Sequence, residues 1–233
     1  MEQESDNGGE TLTINHHTVP LEPLRAALLF WWNKHGRSFP WRSTANSFHI
    51  LMAEMMLRRT RARQVVPVYI RFIEDFPDPQ SLAVAPPEYV SRALYSLGLS
   101  WRVPAFQQLA HALVDRYGGA VPDDYNALTT LPGVGDYVAA AVCSFAFDQP
   151  LIIADTNTVR VAGRIFGVAT HAESRRRQPV RDILKALLDH LHPRAYNYAL
   201  LDLAALICTP SDPDCQHCPI RFCCTTGMER SHA

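Results

Sequence analysis

The sequence predicts an all-helical fold, and three observations carry that expectation. Apolar residues recur at helical spacing through most of the chain, Pro and Gly punctuate those stretches, and turn-bounded alternating strand patterns are missing apart from the short Leu151-Ile152-Ile153. The 233 residues can bury a sizeable core, with room for two lobes and none for a third domain.

Residues 1 to 19 are polar and acidic, with Gly8-Gly9, and are expected to form a disordered tail. An apolar-periodic stretch from Pro23 through Trp32 predicts the first helix, and Gly36 to Arg42 predicts a loop. A long amphipathic helix is expected from Ser47 to Arg63 and another from Pro67 to Phe76, with Pro86-Pro87 separating these from a short helix near Glu88 to Leu97. After the turn at Gly98-Leu99-Ser100, Pro104 stands where a helix starts, and Gly118-Gly119 stops that helix after Tyr117. Further helices are expected at 123–130, 136–147, 157–166, 178–190 and 195–206.

The chain carries 22 Lys and Arg against 23 Asp and Glu, so no global charge points to a partner. Locally, Arg58, Arg59, Arg61 and Arg63 crowd one short segment and Arg175, Arg176 and Arg177 are contiguous; such patches neutralise phosphates or simply solvate a helix face. No apolar stretch approaches the ~18 residues of a membrane span, which predicts a soluble protein with no membrane partner.

Cys208, Cys215, Cys218 and Cys224 read Cys-x6-Cys-x2-Cys-x5-Cys, a spacing that holds an inorganic centre. Disulfides, zinc and an iron-sulfur cluster compete for them. Disulfides are the weakest, because no apolar signal segment precedes the chain and a reducing cytosol keeps thiols free. Zinc usually takes two Cys-x2-Cys arms and only Cys215 and Cys218 form one, whereas Cys-only ligation from one loop is the rule for [4Fe-4S] centres. Cys223 could replace Cys224 as the last ligand, and Cys143 reads as a small core residue.

Leu131-Pro132-Gly133-Val134-Gly135 sits between a short helix and an apolar one. Two glycines flanking one apolar residue allow a tight turn that points N–H groups outward at a helix start, an anion site or an ordinary helix-helix turn. Asp155 follows an apolar run at the start of a new helix, where dipole and free N–H groups favour its charged form; taken alone it is an N-cap. Glu54 stands on an apolar stripe, four residues after Ile50 and three before Leu57, either lining a pocket or paired with an arginine.

Together, the Leu-Pro-Gly-Val-Gly turn, the Asp155 segment about 20 residues later and the cysteine string resemble the helix-hairpin-helix DNA glycosylases of the endonuclease III superfamily, over about residues 25 to 226. The resemblance implies two helical lobes with a DNA-facing cleft between them. A six-helix barrel lobe would span 46–155, with the hairpin at about 123–147; a discontinuous iron-sulfur lobe would combine 20–45 with 156–226, leaving 227–233 as a tail. It also implies a [4Fe-4S] cluster on Cys208, Cys215, Cys218 and Cys224, locking the fold and holding a basic loop against DNA. The expected partner is mismatch-bearing double-stranded DNA, bound by a cytoplasmic monomer that joins the nucleoid when on DNA.

Bifunctional members place a lysine just after the hairpin. This chain has Tyr137 and Val138 there, and no lysine between Lys34 and Lys185, which favours a monofunctional, water-using enzyme. Phe39-Pro40-Trp41-Arg42 and Glu54 are shared by the adenine and the thymine/uracil mismatch branches. Leu57-Arg58-Arg59-Thr60 and Gly98-Leu99-Ser100 are similar to the thymine/uracil branch, whereas adenine enzymes usually carry two glutamines in place of the arginines. Nine residues after Cys224 leave no room for the 8-oxoguanine-reading domain of adenine enzymes. By this resemblance Asp155 stabilises a cationic sugar and positions water, while Glu54 and Tyr137 contact the flipped base. Arg58 and Arg59 meet DNA, with Arg59 filling the vacated stack; Leu99, Ser100 and Trp101 wedge the opposite strand, and Gly133, Val134 and Gly135 grip a phosphate. A non-catalytic helix-hairpin-helix DNA-binding module is the rival class.

Overall fold

The structure, a computed structural model, describes residues 5–6, 9–98 and 102–230. Three strands, β1 (Ser5–Asp6), β2 (Gly9–Ile14) and β3 (His17–Pro20), precede twelve α-helices among the described residues. These are α1 (Leu21–His35), α2 (Ser47–Leu57), α3 (Ala62–Asp75), α4 (Pro79–Val84), α5 (Pro87–Leu94), α6 (Val103–Tyr117), α7 (Tyr125–Thr129), α8 (Asp136–Phe147), α9 (Thr156–Ile165), α10 (Gln178–Leu187), α11 (Pro193–Leu206) and α12 (Thr225–Glu229). None of the described helices is long and apolar enough to cross a membrane.

The chain divides into two compact units, Met1–Arg37 with Gln149–Ala233 and, between them in sequence, Ser38–Asp148. Both boundaries differ from the expected ones, for local packing reasons. Phe39 to Arg42 belong to the middle unit because Trp41 stacks on Phe39 and meets Tyr69 of α3 edge-on, with ring centroids 5.4 Å apart. Leu151 to Ile153 belong to the terminal unit: Asn197 Nδ2 of α11 donates to the Leu151 carbonyl at 2.9 Å, and Ile152 joins that unit's core.

In the terminal unit the expected disordered tail is partly a sheet. Thr11-Leu12-Thr13-Ile14 alternates, Asn15 and His16 take positive φ of 51° and 63°, and that tight turn pairs Leu12 with Val19. Leu12 and Val19 are fully buried beside Leu21, Leu24 and Leu28 of α1, so the sheet face completes the core formed by α1, α9, α10 and α11. His17 Nε2 bonds the Cys223 carbonyl at 2.9 Å, tying the hairpin to the C-terminal segment. Buried Asp202 of α11 holds the end of α1: its carboxylate accepts Arg37 Nε at 2.6 Å, the Arg37 amide at 2.8 Å and Trp32 Nε1 at 3.1 Å. At the far end α12 continues to Glu229, past the expected limit of 226, with Thr225 Oγ1 donating to the Ile165 carbonyl at 3.0 Å.

In the middle unit the expected single helix over Ser47–Arg63 is two elements. α2 stops at Leu57, Arg59 turns the chain with φ +63°, and α3 begins at Ala62 and runs through Pro67. Pro67 and Arg63 are both exposed, so water can satisfy the carbonyl that loses its donor. α2 is not amphipathic. Phe48 and every residue from Ile50 to Met56 are buried, the pattern of a central helix, and α8 packs against it.

Candidate active site

Asp155 is the N-cap of α9. Its Oδ1 accepts the backbone N–H groups of Asn157 and Thr158, each at 2.8 Å, and its Oδ2 accepts Asn157 Nδ2 at 2.9 Å. Thr158 Oγ1 completes the capping box at 3.1 Å from the Asp155 amide and donates to the Ile153 carbonyl at 2.6 Å. Ile152 and Ile153 are buried just upstream, so the half-buried carboxylate is fixed from both sides. Capping and a chemical role are compatible here, since three N–H donors set the orientation of the group.

The network continues. Asn157 Oδ1 accepts Arg160 Nη1 at 3.0 Å, and Arg160 donates from Nε to the Cys208 carbonyl at 3.0 Å and from Nη2 to the Ala204 carbonyl at 2.9 Å. Neither Asn157 nor Arg160 stands out in the sequence. The only signal there is spacing, two and five residues past Asp155 on one helix.

Glu54 and Tyr137 belong to the middle unit, Asp155 to the terminal one. Glu54 lies in the centre of α2 and is 3 % exposed; Tyr137 is the second residue of α8 and half-buried. The Leu131–Gly135 turn joins α7 to α8. Gly133 has φ +77°, a conformation that favours glycine, and a Cβ there would sit 2.9 Å from Met55 Cε. Val134 is buried and anchors the turn, while Gly133 and Gly135 are exposed. Among the described residues no side chain caps α8, and exposed Asp136 stands in its first turn.

Beside this turn Arg58 donates from Nη1 to the Gly133 carbonyl at 2.7 Å, so its guanidinium is held internally although the residue is exposed. Arg59 is exposed in the left-handed region, a conformation that costs a non-glycine residue about 1–3 kcal/mol and clusters at functional sites. Arg102, 7 % exposed, donates from Nη1 to the Arg58 carbonyl at 3.1 Å. Burial pushes the Arg102 guanidinium below its ordinary value, and the charges of Arg58 and Arg59 push the same way. Leu99, Ser100 and Trp101 lie outside the described residues. In the other basic run, Glu173 pairs with Arg176 at 3.0 Å and Arg175 at 3.9 Å.

Cys208, Cys215, Cys218 and Cys224 line one cavity whose remaining wall is largely apolar, including Val161, Ile165, Leu203 and Ile220. Cys223 points elsewhere, with its thiol on the Ile220 carbonyl at 3.5 Å. Burial pushes the Cys218 thiol up to about 12 and the Cys224 thiol to about 11, and the neighbouring cysteines push the same way, so a thiolate at either position needs a cationic partner. Among the described residues no group of His, Cys, Asp or Glu closes tightly enough to hold a single metal ion. Four thiols lining one largely apolar cavity form a donor set that could hold a metal centre. The loop from Thr209 to Asp214 carries Asp212 and Asp214 and neither Lys nor Arg, while Arg221 stands between Cys218 and Cys224.

A hairpin-bearing helical unit, a capped aspartate and a four-cysteine cavity in one chain define a class. The sequence matches the HhH-GPD superfamily base excision DNA repair proteins over residues 52–186, and the chain belongs to that superfamily. It is 36 % identical over 211 residues to the thymine-DNA glycosylase of Aeropyrum pernix, covering 88 % of this chain and 94 % of that protein. The rat (Rattus norvegicus) adenine DNA glycosylase is 33 % identical over 211 residues, covering 86 % of this chain but 41 % of that longer protein. A solved thermostable thymine-DNA glycosylase superposes with a TM-score of 0.83 at 31 % identity, covering 89 % of this chain and 96 % of that one.

Proposed function

We propose that the protein is a monofunctional DNA glycosylase of base excision repair that flips thymine or uracil mispaired with guanine out of the duplex and hydrolyses its N-glycosidic bond. Asp155 carries the chemistry, because three N–H donors fix its carboxylate at the head of a helix. The C1′–N bond breaks with both electrons leaving on the base, and the sugar becomes oxocarbenium-like. Asp155 stabilises that charge and orients the water that adds to C1′; water gives up one proton and the departing base takes one up. Glu54 and Tyr137 contact the flipped base, the exposed turn at Gly133–Gly135 holds a phosphate, and Arg59 fills the gap left in the stack. Leu99, Ser100 and Trp101 act on the opposite strand.

Tyr137 in place of a lysine after the hairpin supports the water-using route. The four cavity-lining cysteines would hold a [4Fe-4S] cluster, which supplies rigidity to the segment carrying Cys208 and no step of the hydrolysis. Arg58 and Arg59, together with the named activities of the more similar relatives, favour thymine and uracil over adenine.

A labelled-duplex panel with G·T, G·U, A·G and A·8-oxoguanine pairs, read by alkali cleavage, tests the reading. Base release from G·T and G·U by the parent, with Asp155→Asn binding the same duplexes but releasing nothing, is the expected result. Release confined to the adenine pairs would transfer the protein to the adenine branch, and none from any duplex would favour a binding module. A strong borohydride-trapped adduct would overturn monofunctionality.

A further inference from the structure

We infer that Arg58 is a positioning residue for base extrusion, coupling the phosphate-holding turn at Gly133–Gly135 to the stack-filling side chain of Arg59. The inference rests on the glycosylase reading above and deepens it.

The peptide joining Gly133 to Val134 is fixed at both ends. Its carbonyl accepts Arg58 Nη1 at 2.7 Å, and its N–H donates to the Leu131 carbonyl at 3.1 Å. A charged donor at that carbonyl sets the tilt of the turn, hence the direction of the amides that follow it into α8. Met55 lies under the same glycine, one helical turn before Arg59, so α2 supports the turn from below while Arg58 holds it from the side.

The main chain of Arg58 is held as firmly. Its carbonyl accepts Arg102 Nη1 at 3.1 Å, and the Thr60 amide donates to the Leu57 carbonyl at 3.3 Å, closing the corner between α2 and α3. Arg59 sits at the tip of that corner with φ +63°. A non-glycine residue stays left-handed only where its surroundings over-determine it, and the bonds on either side of Arg58 supply that constraint. Side chain and backbone of one residue therefore tie the turn to the corner. Burial, and then the charges of Arg58 and Arg59, lower the Arg102 value, in keeping with its place beside this corner.

Positioning and direct phosphate contact make different predictions. A lost phosphate contact weakens every duplex alike and lowers the salt slope of binding by about one. A lost positioning bond matters most where a paired base must be unstacked, and least where it is already out of the stack.

The experiment compares single-turnover release of uracil opposite guanine with release from a three-nucleotide bulge, using the parent, Arg58→Met and Arg58→Lys. Arg58→Met is expected to lose about tenfold more on the paired than on the bulged target, with the salt slope kept, and Arg58→Lys to recover most of that difference. Equal loss on both targets, or a salt slope reduced by about one, overturns the inference while leaving the glycosylase reading intact. Failure of the parent to release uracil from either target overturns both.

Discussion

Arg160 donates from Nε to the carbonyl oxygen of Cys208 at 3.0 Å, and through Asn157 the same guanidinium reaches the carboxylate of Asp155. A cavity-lining cysteine and the proposed catalytic aspartate thus share one arginine.

Arg160→Gln should misplace Asp155 without unfolding α9, whose capping box does not use the arginine. Single-turnover base release is expected to fall by about 100-fold, the scale of a small misplacement at a reacting centre, with duplex affinity nearly kept. Parent-like release would show that the shared arginine is only structural.

Glu54→Gln keeps the volume of a residue buried in the centre of α2 but replaces its carboxyl with an amide. A hydrogen bond to a charged group contributes about 1.5–3 kcal/mol, so release should drop roughly 10- to 150-fold while gel-shift affinity for G·U persists. Unchanged release would exclude Glu54 from the base pocket.

Asp202→Ala leaves Trp32 Nε1 and the Arg37 amide without their acceptor. Urea melting should report a loss of about 2–4 kcal/mol, toward the low side for a broken buried pair because the Arg37 side chain stays 32 % exposed. An unaltered midpoint would sink this assignment, and a changed slope would indicate a second transition.

Leu12→Ala opens a cavity in the core that the hairpin completes, at a cost of about 3 kcal/mol, whereas Thr13→Ala on the exposed side should cost less than about 0.5. Calorimetry distinguishes them: the first should lower Tm by roughly 6–12 °C and the second hardly at all. Equal melting of the two would mean that residues 9–20 are not part of the core.

The helices were legible where spacing and punctuation agree. Pro104 and Gly118 bound α6 much as expected, and Gly133-Val134-Gly135 announced a turn before α8. The N-terminal hairpin was missed because the alternation from Thr11 to Ile14 is brief and its composition polar; burial of Leu12 and Val19 against α1 makes it a sheet. Glu54 read as one carboxyl on a helix stripe, yet α2 is buried all round, a fact set by packing and not by period. Arg58 read as a DNA-facing charge, and only the fold brings it 75 positions along the chain to Gly133.

By itself the sequence determined residue chemistry at fixed spacing: four thiols, a Gly-x-Gly turn, and a carboxylate followed by the threonine that caps with it. Those are local properties, set by neighbours within a few residues. Tertiary structure decided which of these groups share bonds across long separations, such as Asp155 with Cys208 through Arg160, and Gly133 with Arg58. A hydrogen bond acts over about 3 Å of space regardless of how much chain lies between its partners, so no pattern along the sequence can specify it.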